Sequence, residues 1–587
     1  MKKILLITFF LFIFFLPFLF TQDDLNDYNY TGEEWLEKGN NYYVNNKIDR
    51  AIKCYSNAII INPDYAEAYY YRGKSYQYLN NHEKAIEDFI KATKLDKRYL
   101  KVLDDIGYNY YNNRFYKISI LYLKKSIEFN PENNHLYSLL GYAYFKNELY
   151  NEAIESYTKA INSNPENSNY YSLRADVLVE KKEYDKAIND YLKSIKLEPE
   201  NARTYSYLGN IYYDKEQYDK AIDLYNNAIN INQNDYYHFV QRGKAYSRKK
   251  EYDKAIGDYQ KAIKLNPKYD LGYSHLGNVY LDKKEYDEAI KYYTKAINLD
   301  PKHKYYYRRR GYVYYEKKDF DQAITDYKKA ISLDPEYDYA YSQLGKTYYE
   351  KKLYDRSINA YLEAIQLNPT NSSYYIDLGY TYIRTKEYNI AIENFNKAIN
   401  IDNNVYAYLG RGKAYNKMKL FDKAITDLNK VIQLKENNIS AYITRCISYY
   451  SLNEFNKALA DIEKAIDLDN ERFYAYFFHF VISTKISDKS IQTSLKQLIE
   501  NEKKFKNKKW ENRIYEYLTG KINEKKFLLY KDINKELLCE AYTYIGFKYL
   551  SNNDKEKAKE YFEKSVKTDI YYFIEYTFSE KELEDLK

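Results

Sequence analysis

The sequence contains few of the residues that build disulfide frameworks or turn-rich folds. Of its 587 residues, only 3 are cysteine, 17 are glycine and 9 are proline. The cysteines, Cys54, Cys446 and Cys539, are odd in number and widely spaced, so we interpret them as small buried hydrophobic residues and not as a disulfide framework. The scarcity of glycine and proline argues against an all-β chain and favours helices with few breaks.

Sequence patterns of catalytic and cofactor sites are also lacking. There is no HExxH, no GxSxG, no Walker loop and no GxGxxG, and the 6 histidines are not spaced as metal ligands on one helix face. The net charge is +7 over the whole chain, without a long basic block. We therefore expect no enzymatic activity, no metal, no cofactor and no nucleic-acid partner.

A single long apolar run lies at the N-terminus. Lys2 and Lys3 precede an apolar stretch from Ile4 to Phe20, which is the pattern of an export signal. No A-x-A-like cleavage site follows, and the run is barely long enough to span a bilayer, so residues 1–22 are either a cleaved signal peptide or a retained N-terminal anchor. Either way we expect an exported, periplasmic or envelope-associated protein, which contacts the membrane only through an uncleaved N-terminus. Residues 23–31 form a short linker.

Repetition dominates the rest of the chain. The phrase KKEYDKAI begins at residues 181 and 249, and related phrases begin at 215, 283, 317, 351 and 385, always 34 residues or twice 34 apart. We number the unit from 1 to 34, with Gly39 at position 8 of the first unit. Positions 8, 20 and 27 are small, position 32 is often proline, and aromatic residues recur at positions 4, 11, 17 and 24. This pattern predicts a closely packed helix pair that must stack on its neighbours to bury its apolar faces.

These positions resemble the tetratricopeptide repeat (TPR) family. Seven residues of the first unit fit the family pattern: Trp35, Gly39, Tyr42, Ala51, Tyr55, Ala58 and Pro63. The resemblance implies an all-α fold, a right-handed superhelical solenoid of antiparallel helix pairs with about 13 regular units. We assign residues 32–472 to this solenoid, 473–538 to diverged helical repeats, 539–572 to a last TPR unit and 573–587 to a C-terminal capping helix. Ser579 and Glu582 have the spacing of a capping box at the start of that last helix.

The C-terminal part also resembles NlpI-type TPR lipoproteins. The matching residues are Trp510, Tyr517, Leu518, Gly520, Ile522, Glu524, Tyr544, Gly546, Tyr549, Leu550 and Glu575. This resemblance implies an envelope adaptor without activity of its own, whose partners are a protease and cell-wall hydrolases. The present chain departs from that family because it lacks the lipidated cysteine and has many more repeats.

Positions 7 and 23 vary together within the chain. Where position 7 is leucine or isoleucine, position 23 is never aspartate, but six repeats carry arginine at 7 and aspartate at 23. We predict an ion pair between the two helices of those repeats, since a partly buried arginine needs an acid beside it; inheritance of two repeat sub-types without contact is the alternative. The six predicted pairs are Arg72–Asp88, Arg174–Asp190, Arg242–Asp258, Arg310–Asp326, Arg411–Asp427 and Arg445–Asp461.

In the TPR family the first helix of each repeat lines the concave groove through positions 2, 5, 9, 12 and 13. In this chain the most distinctive residues at those positions are Tyr305, Arg308, Tyr312, Tyr315, Tyr339, Lys346 and Tyr349. Aromatic faces beside cations suit an extended peptide with acidic groups, or a glycan stacked on tyrosine; with 80 tyrosines in the chain, chance is the competing explanation. We expect a non-catalytic exported scaffold that binds segments of envelope proteins. The alternative is a structural or adhesive surface protein that binds cell-wall glycan.

Overall fold

The computed structural model describes residues 30–505, 508–531, 533–570 and 573–586. Within these ranges all regular secondary structure is helical. The chain divides into two compact units, residues 1–272 and 273–587. The predicted leader, residues 1–22, and most of the 23–31 linker lie outside the described residues.

Thirteen repeats of two helices follow one another from Gly32 to Leu468, and we call the two helices of each repeat helix A and helix B. The A helices are Gly32–Val44, Ala66–Tyr78, Val102–Asn112, Asn134–Lys146, Ser168–Glu180, Ala202–Asp214, Tyr236–Arg248, Asp270–Asp282, Lys304–Glu316, Asp338–Glu350, Ser372–Arg384, Val405–Lys417 and Ile439–Ser451. The B helices are Ile48–Ile61, His82–Leu95, Tyr116–Phe129, Tyr150–Ser163, Tyr184–Leu197, Tyr218–Ile231, Tyr252–Leu265, Tyr286–Leu299, Phe320–Leu333, Tyr354–Leu367, Tyr388–Ile401, Phe421–Leu434 and Phe455–Leu468. The predicted TPR-type solenoid fold is confirmed.

The small residues lie where the two helices of a repeat touch. In repeat 6 a Cβ atom added to Gly209 at position 8 would lie 2.6 Å from the ring of Tyr225 at position 24. Ala221 and Ala228, at positions 20 and 27, are completely buried. The tyrosine ring therefore fills the space that the glycine leaves, and the same glycine-against-aromatic contact recurs in other repeats.

The phrase KKEYDKAI builds the turn between the two helices. Its second lysine, Lys182 in repeat 5, has a left-handed backbone (φ 61°), and the N–H of Glu183 donates to the carbonyl of Leu178 at 2.8 Å. This is the Schellman ending of a helix, here with a lysine at the position that usually takes glycine. The first lysine of the phrase links neighbouring repeats, since Lys215 Nζ lies 3.0 Å from Asp185 Oδ1 at position 18 of the repeat before it.

That link recurs along the chain and explains why the turn sequence is repeated. The same lysine-to-position-18 contact is made by Lys181 with Asn151 (2.8 Å), Lys249 with Asp219 (2.6 Å), Lys317 with Asp287 (2.6 Å) and Lys351 with Asp321 (2.5 Å). These pairs lie at the surface, so each contributes little alone and acts as part of a series. The phrase therefore serves helix ending and repeat stacking at once.

The part after repeat 13 keeps helices but loses the strict period. It contains Phe473–Ser483, Asp488–Glu500, Glu502–Phe505, Lys509–Leu518, Glu524–Leu528, Lys535–Ser551, Lys555–Val566 and Ile574–Asp585. Its large apolar core includes Phe477, Phe478, Trp510 and Phe547. The three cysteines, one here and two in the repeats, are buried and form no disulfide, as predicted.

The last helix differs from its prediction in one respect. It begins at Ile574, without a side-chain cap, and Ser579 and Glu582 lie within it, both fully buried. The predicted capping box is therefore wrong. Ser579 and Glu582 are three residues apart because they share the buried face of this helix, which spacing alone cannot distinguish from a helix start.

Candidate functional site

The structure brings together the two members of every predicted arginine–aspartate pair. In each pair the guanidinium donates two hydrogen bonds to one carboxylate, over distances of 2.6–2.9 Å. In the Arg242–Asp258 pair the side chains are 20% and 8% exposed. A bidentate pair of this kind holds helix A against helix B. The arginines at position 7 are therefore committed to packing and are not free to bind a ligand.

A third partner of these arginines escaped sequence reasoning. The remaining guanidinium nitrogen donates to position 25 of the preceding repeat, which is always serine, threonine or asparagine beside an arginine: Ser56, Thr158, Asn226, Thr294, Asn396 and Asn429. Beside the leucine or isoleucine repeats, position 25 is Ile90, Lys124, Leu192, Gln260, Lys328 or Leu362. The sequence does contain this signal, because residues at positions 7 and 23 of one repeat vary together with the residue at position 25 of the repeat before it.

Position 9 of helix A has a regular partner in helix B. Asparagine there accepts a hydrogen bond from the tyrosine hydroxyl at position 24, for example Tyr225 to Asn210 at 2.9 Å and Tyr293 to Asn278 at 2.7 Å. Two repeats carry tyrosine at both positions and lose this bond. The hydroxyls of Tyr157 and Tyr327 are buried and have no hydrogen-bond partner among the described residues.

The predicted groove residues form a continuous face along the A helices of repeats 9 and 10. The Arg308 guanidinium lies over two exposed rings, 5.9 Å from the centroid of Tyr305 and 5.2 Å from that of Tyr339 in the next repeat. Tyr305 is 47% exposed and Tyr339 41%. The Nε atom of Arg308 is buried and finds no hydrogen-bond partner in the described part of the chain.

The other four predicted residues continue this face. The rings of Tyr312 and Tyr315 stack with centroids 6.5 Å apart, and the exposed Lys346 ammonium lies 4.9 Å from the Tyr315 centroid. Burial raises the pKa of Tyr315 to about 12, so the hydroxyl is a neutral donor at physiological pH. Tyr349 is half-buried beside them, and its ring meets that of Tyr354 edge to face.

Three residues of this face were missed by sequence reasoning. Asp377 in helix A of repeat 11 is half-buried, and burial raises its pKa to about 6 although the charge of Lys346 acts in the opposite direction. Lys413 in repeat 12 lies 5.7 Å from the Tyr380 centroid, and burial lowers its pKa. We call Tyr305, Arg308, Tyr312, Tyr315, Tyr339, Lys346, Tyr349, Asp377, Tyr380 and Lys413 the repeat 9–12 face.

Further along the A helices, at repeats 12 and 13, the C-terminal helix of the chain covers the surface that continues this face. The C-terminal helix, Ile574–Asp585, packs on repeats 12 and 13 at positions 12 and 13 of helix A, where Lys417 Nζ donates to Thr577 Oγ1 at 3.1 Å. The Tyr450 hydroxyl donates to Glu582 Oε1 at 2.6 Å, and Lys419 reaches Glu584 Oε1 at 2.5 Å. An acidic helix thus occupies the continuation of the predicted binding face, held by lysines and a tyrosine.

Two kinds of site are not found among the residues that the structure describes. No group of three or more His, Cys, Asp or Glu side chains is placed to hold a metal ion. No helix in the same ranges has the length and apolar character needed to cross a membrane.

Models of the tetratricopeptide repeat match most of the chain. A TPR repeat model matches residues 39–79, 175–215, 243–283, 311–352 and 345–386, and two tetratricopeptide repeat models match residues 66–99, 202–235, 271–303 and 405–438, and residues 372–405 and 540–569. Residues 112–194 match a model of anaphase-promoting complex, cyclosome, subunit 3. The comparison with curated proteins found no match.

Several solved structures match this chain over almost all of their own length. The structure of yeast Tom70 is 18% identical, with a TM-score of 0.36, and the match covers 69% of this chain and 96% of that one. MamA is 30% identical (TM-score 0.27; 29% of this chain, 93% of that one). YrrB, described as a TPR protein with an unusual peptide-binding site, is 26% identical (TM-score 0.28; 32% and 96%). The repeated helix pairs, their glycine-against-aromatic packing and the family models that together match more than half of the residues lead to one conclusion: this chain belongs to the tetratricopeptide repeat family.

Proposed function

We propose that the protein is a non-catalytic scaffold whose repeat 9–12 face binds an acidic segment of a partner protein. The observation that carries this proposal is a pair of buried hydrogen-bond donors without partners among the described residues, Arg308 Nε and the Tyr327 hydroxyl. Burying a donor without an acceptor is costly, and a guanidinium N–H can never act as an acceptor. Both groups are therefore suited to a ligand that supplies acceptor oxygens.

The two donors lie close enough to influence each other. Burial raises the pKa of Tyr327 above its usual value, the neighbouring Tyr339 adds to the rise, and the positive charge of Arg308 opposes it. Tyr327 is fully buried in a cluster against which Tyr315 packs, and both Tyr312 and Tyr315 act on its pKa. A carboxylate that enters between the exposed rings of Tyr305 and Tyr339 would meet the guanidinium first and the hydroxyl below it.

The charge of the face supports an acidic partner. Among the residues that define the face, Arg308, Lys346 and Lys413 are cations and only Asp377, with its raised pKa, is an acid. Glu316 and Glu350 adjoin the face and raise the pKa of Tyr315. The chain's C-terminal helix offers a precedent, because Lys419 of repeat 12 holds both its Glu580 and its Glu584. The face therefore combines cation, hydroxyl and aromatic contacts of the kind that dominate binding hot spots.

Export to the cell envelope is part of the proposal. Its support is the pattern of residues 1–22 together with the likeness of the C-terminal part to NlpI-type lipoproteins, and it makes an envelope protease or cell-wall hydrolase the expected partner. Cell fractionation with N-terminal sequencing tests this directly. Recovery in the envelope or periplasmic fraction would support export, and recovery in the cytoplasm with Met1 retained would contradict it.

A peptide array tests the binding proposal. The probes are 12-residue envelope-protein segments in matched pairs, with Asp and Glu in one member and Asn and Gln in the other. We expect acidic members to bind, and we expect Arg308→Ala and Lys346→Ala each to weaken them about tenfold, the usual value of one charge-assisted hydrogen bond. Equal binding of both members of every pair would contradict the proposal.

Two further measurements sharpen the experiment. Tyr327→Phe removes the orphan hydroxyl without changing the fold, and Tyr157→Phe removes its counterpart in repeat 4, so only the first should weaken acidic peptides. Purified cell-wall glycan on the same surface tests the alternative function, because the exposed rings of Tyr305 and Tyr339 could stack on sugars. Glycan binding that survives Arg308→Ala, together with no peptide binding, would favour the adhesive protein.

A further inference from the structure

We propose a second binding site in the first compact unit, on the A helices of repeats 3–5, which takes a cationic side chain of a polypeptide, arginine or lysine. It is independent of the repeat 9–12 face and of opposite charge preference. Its parts are an aromatic platform, a half-buried carboxylate and a buried hydroxyl without a partner. We call it the repeat 3–5 site and define it by Tyr108, Tyr111, Tyr142, Phe145, Tyr157 and Asp176.

The aromatic platform lies at positions 9 and 12 of repeats 3 and 4. Tyr108 is 47% exposed and stacks on Tyr111 with centroids 6.1 Å apart. The Tyr111 ring meets Tyr142 edge to face at 5.3 Å, and Tyr142 meets Phe145 at 6.5 Å. Ring faces turned to solvent attract cations through their quadrupoles, and edge-to-face neighbours hold them rigid.

The carboxylate comes from the next repeat. Asp176 stands at position 9 of repeat 5, where it accepts a hydrogen bond from the Tyr191 hydroxyl. Burial raises the pKa of Asp176 to about 6, even though that bond and the charge of Lys146 both act to lower it. The ionised carboxylate is thus poorly compensated within the unit, and a cation beside it would be stabilising.

A second, independent observation points to a ligand. Tyr157 is completely buried in a cluster against which Tyr142 packs, and no residue in the described part of the chain forms a hydrogen bond with its hydroxyl. Val177, the residue that follows Asp176, belongs to the same cluster, and the charge of Asp176 raises the pKa of Tyr157 after burial itself, so the hydroxyl and the carboxylate are neighbours. An ammonium or guanidinium group carries several donors, so one can go to Asp176 and another to the Tyr157 oxygen.

One lysine of the unit competes for this position. The exposed Lys146 ammonium lies 5.2 Å from the centroids of both Tyr142 and Phe145, and its charge acts on Asp176 although the two form no ion pair among the described residues. Lys146 therefore shows that the platform accepts a cation, while the Asp176 carboxylate keeps only the Tyr191 hydroxyl as a direct partner among the described residues. Removing it should free the rings for an incoming side chain.

Matched peptides test this site. The probes are 12-residue peptides with a central arginine or lysine, each paired with its glutamine counterpart, on wild-type protein and on Asp176→Asn. We expect Arg- or Lys-dependent binding that falls about tenfold or more in Asp176→Asn and several-fold in Tyr157→Phe. Lys146→Ala should strengthen it. Asp377→Asn and Arg308→Ala, on the other unit, are the matched controls and should leave it unchanged.

The outcomes separate this site from the proposed function. Loss of cationic binding in Asp176→Asn with acidic binding intact supports the site. Equal binding of the arginine and glutamine peptides, absence of any cation-dependent binder, or an equal loss in Asp377→Asn would overturn it. None of these results bears on acidic binding by the repeat 9–12 face, which Arg308→Ala, Lys346→Ala and Tyr327→Phe test separately.

Discussion

At the scale of single residues, each repeat position does one job that its neighbours impose. In repeat 6 and several others, position 8 is glycine and an aromatic ring at position 24 occupies the space of a side chain, and the ring is fixed where its hydroxyl bonds to position 9. Position 7 is arginine only where its guanidinium can donate to an aspartate at position 23 and to a small polar side chain at position 25 of the preceding repeat. The repeats thus vary in correlated sets and not one position at a time.

Two glycines of the first unit provide a matched pair of tests. In Gly209→Ala the new Cβ would lie 2.6 Å from the Tyr225 ring, which cannot move without breaking its bond to Asn210, so we expect a loss of about 1–3 kcal/mol. Gly257 has nothing within 4 Å of that position and lies within a helix, so Gly257→Ala should add about 0.5–1 kcal/mol. Urea unfolding followed by circular dichroism measures both. Destabilisation of similar size in the two variants would contradict the packing explanation.

The Arg242–Asp258 pair can be compared with the apolar residues that other repeats of this chain carry at positions 7 and 23. Asp258→Ala leaves a mostly buried guanidinium without its carboxylate, and we expect a loss of about 2–3 kcal/mol. The double variant Arg242→Leu/Asp258→Leu copies repeat 6, which has Leu208 and Leu224, and should lose less than the single variant. Hydrogen exchange of residues 236–265 measures the local effect. A double variant less stable than Asp258→Ala would show that the pair is more than a replaceable packing solution.

At the scale of helices, the C-terminal part has its own pH dependence. Burial, and to a smaller extent the charge of the neighbouring Glu575, raises the pKa of Glu540 to about 9. The Glu540 carboxyl accepts a hydrogen bond from the Trp510 indole N–H at 2.7 Å. The folded state therefore holds a proton that the unfolded chain releases above its ordinary pKa near 4.5. The protonated Glu540 therefore contributes its full share to the folding stability below pH 4.5, and this contribution is lost as the pH rises towards about 9.

The fluorescence of Trp510, which bonds to Glu540, can measure this pH dependence of stability. In a Trp35→Phe background, we expect the urea stability of the Trp510 transition to fall between pH 6 and pH 9 by on the order of 2 kcal/mol. Glu540→Gln should remove most of that fall, because the amide cannot ionise and still offers the indole an acceptor oxygen. Glu556→Gln, an exposed glutamate on a neighbouring helix, is the control and should keep the wild-type slope. A Glu540→Gln variant with the same slope as wild type would assign the effect elsewhere.

The helices also show where sequence reasoning reaches its limit. The period, the packing positions and the arginine–aspartate geometry follow from correlations inside one repeat, because each interaction recurs often enough to be read. The C-terminal helix is different, since Tyr450 meets Glu582 and Lys419 meets Glu584 once each, over a long stretch of chain. A contact made once leaves no periodic trace, and its buried face was therefore interpreted as a polar cap.

At the scale of the whole molecule, the two proposed binding sites lie where the repeats depart from their own pattern. Repeats 4 and 9 carry tyrosine at both position 9 and position 24, and their position 24 hydroxyls, Tyr157 and Tyr327, are buried without a hydrogen-bond partner among the described residues. The seven groove residues predicted from the sequence lie together on one face. The orphan hydroxyl beneath them and the acid beside them were not predictable from positions alone, because burial decides whether a polar group is satisfied.

Photo-cross-linking from the repeat 9–12 face tests the central claim most directly. A benzophenone amino acid replaces Tyr339 between the exposed rings, or Leu362, an exposed residue on helix B of repeat 10, as the control. We expect position 339 to capture partner segments rich in Asp and Glu, to lose them in an Arg308→Ala background, and position 362 to capture none of them. Capture of the same segments from both positions, or of segments without acidic residues from position 339, would contradict an acid-binding face on these repeats.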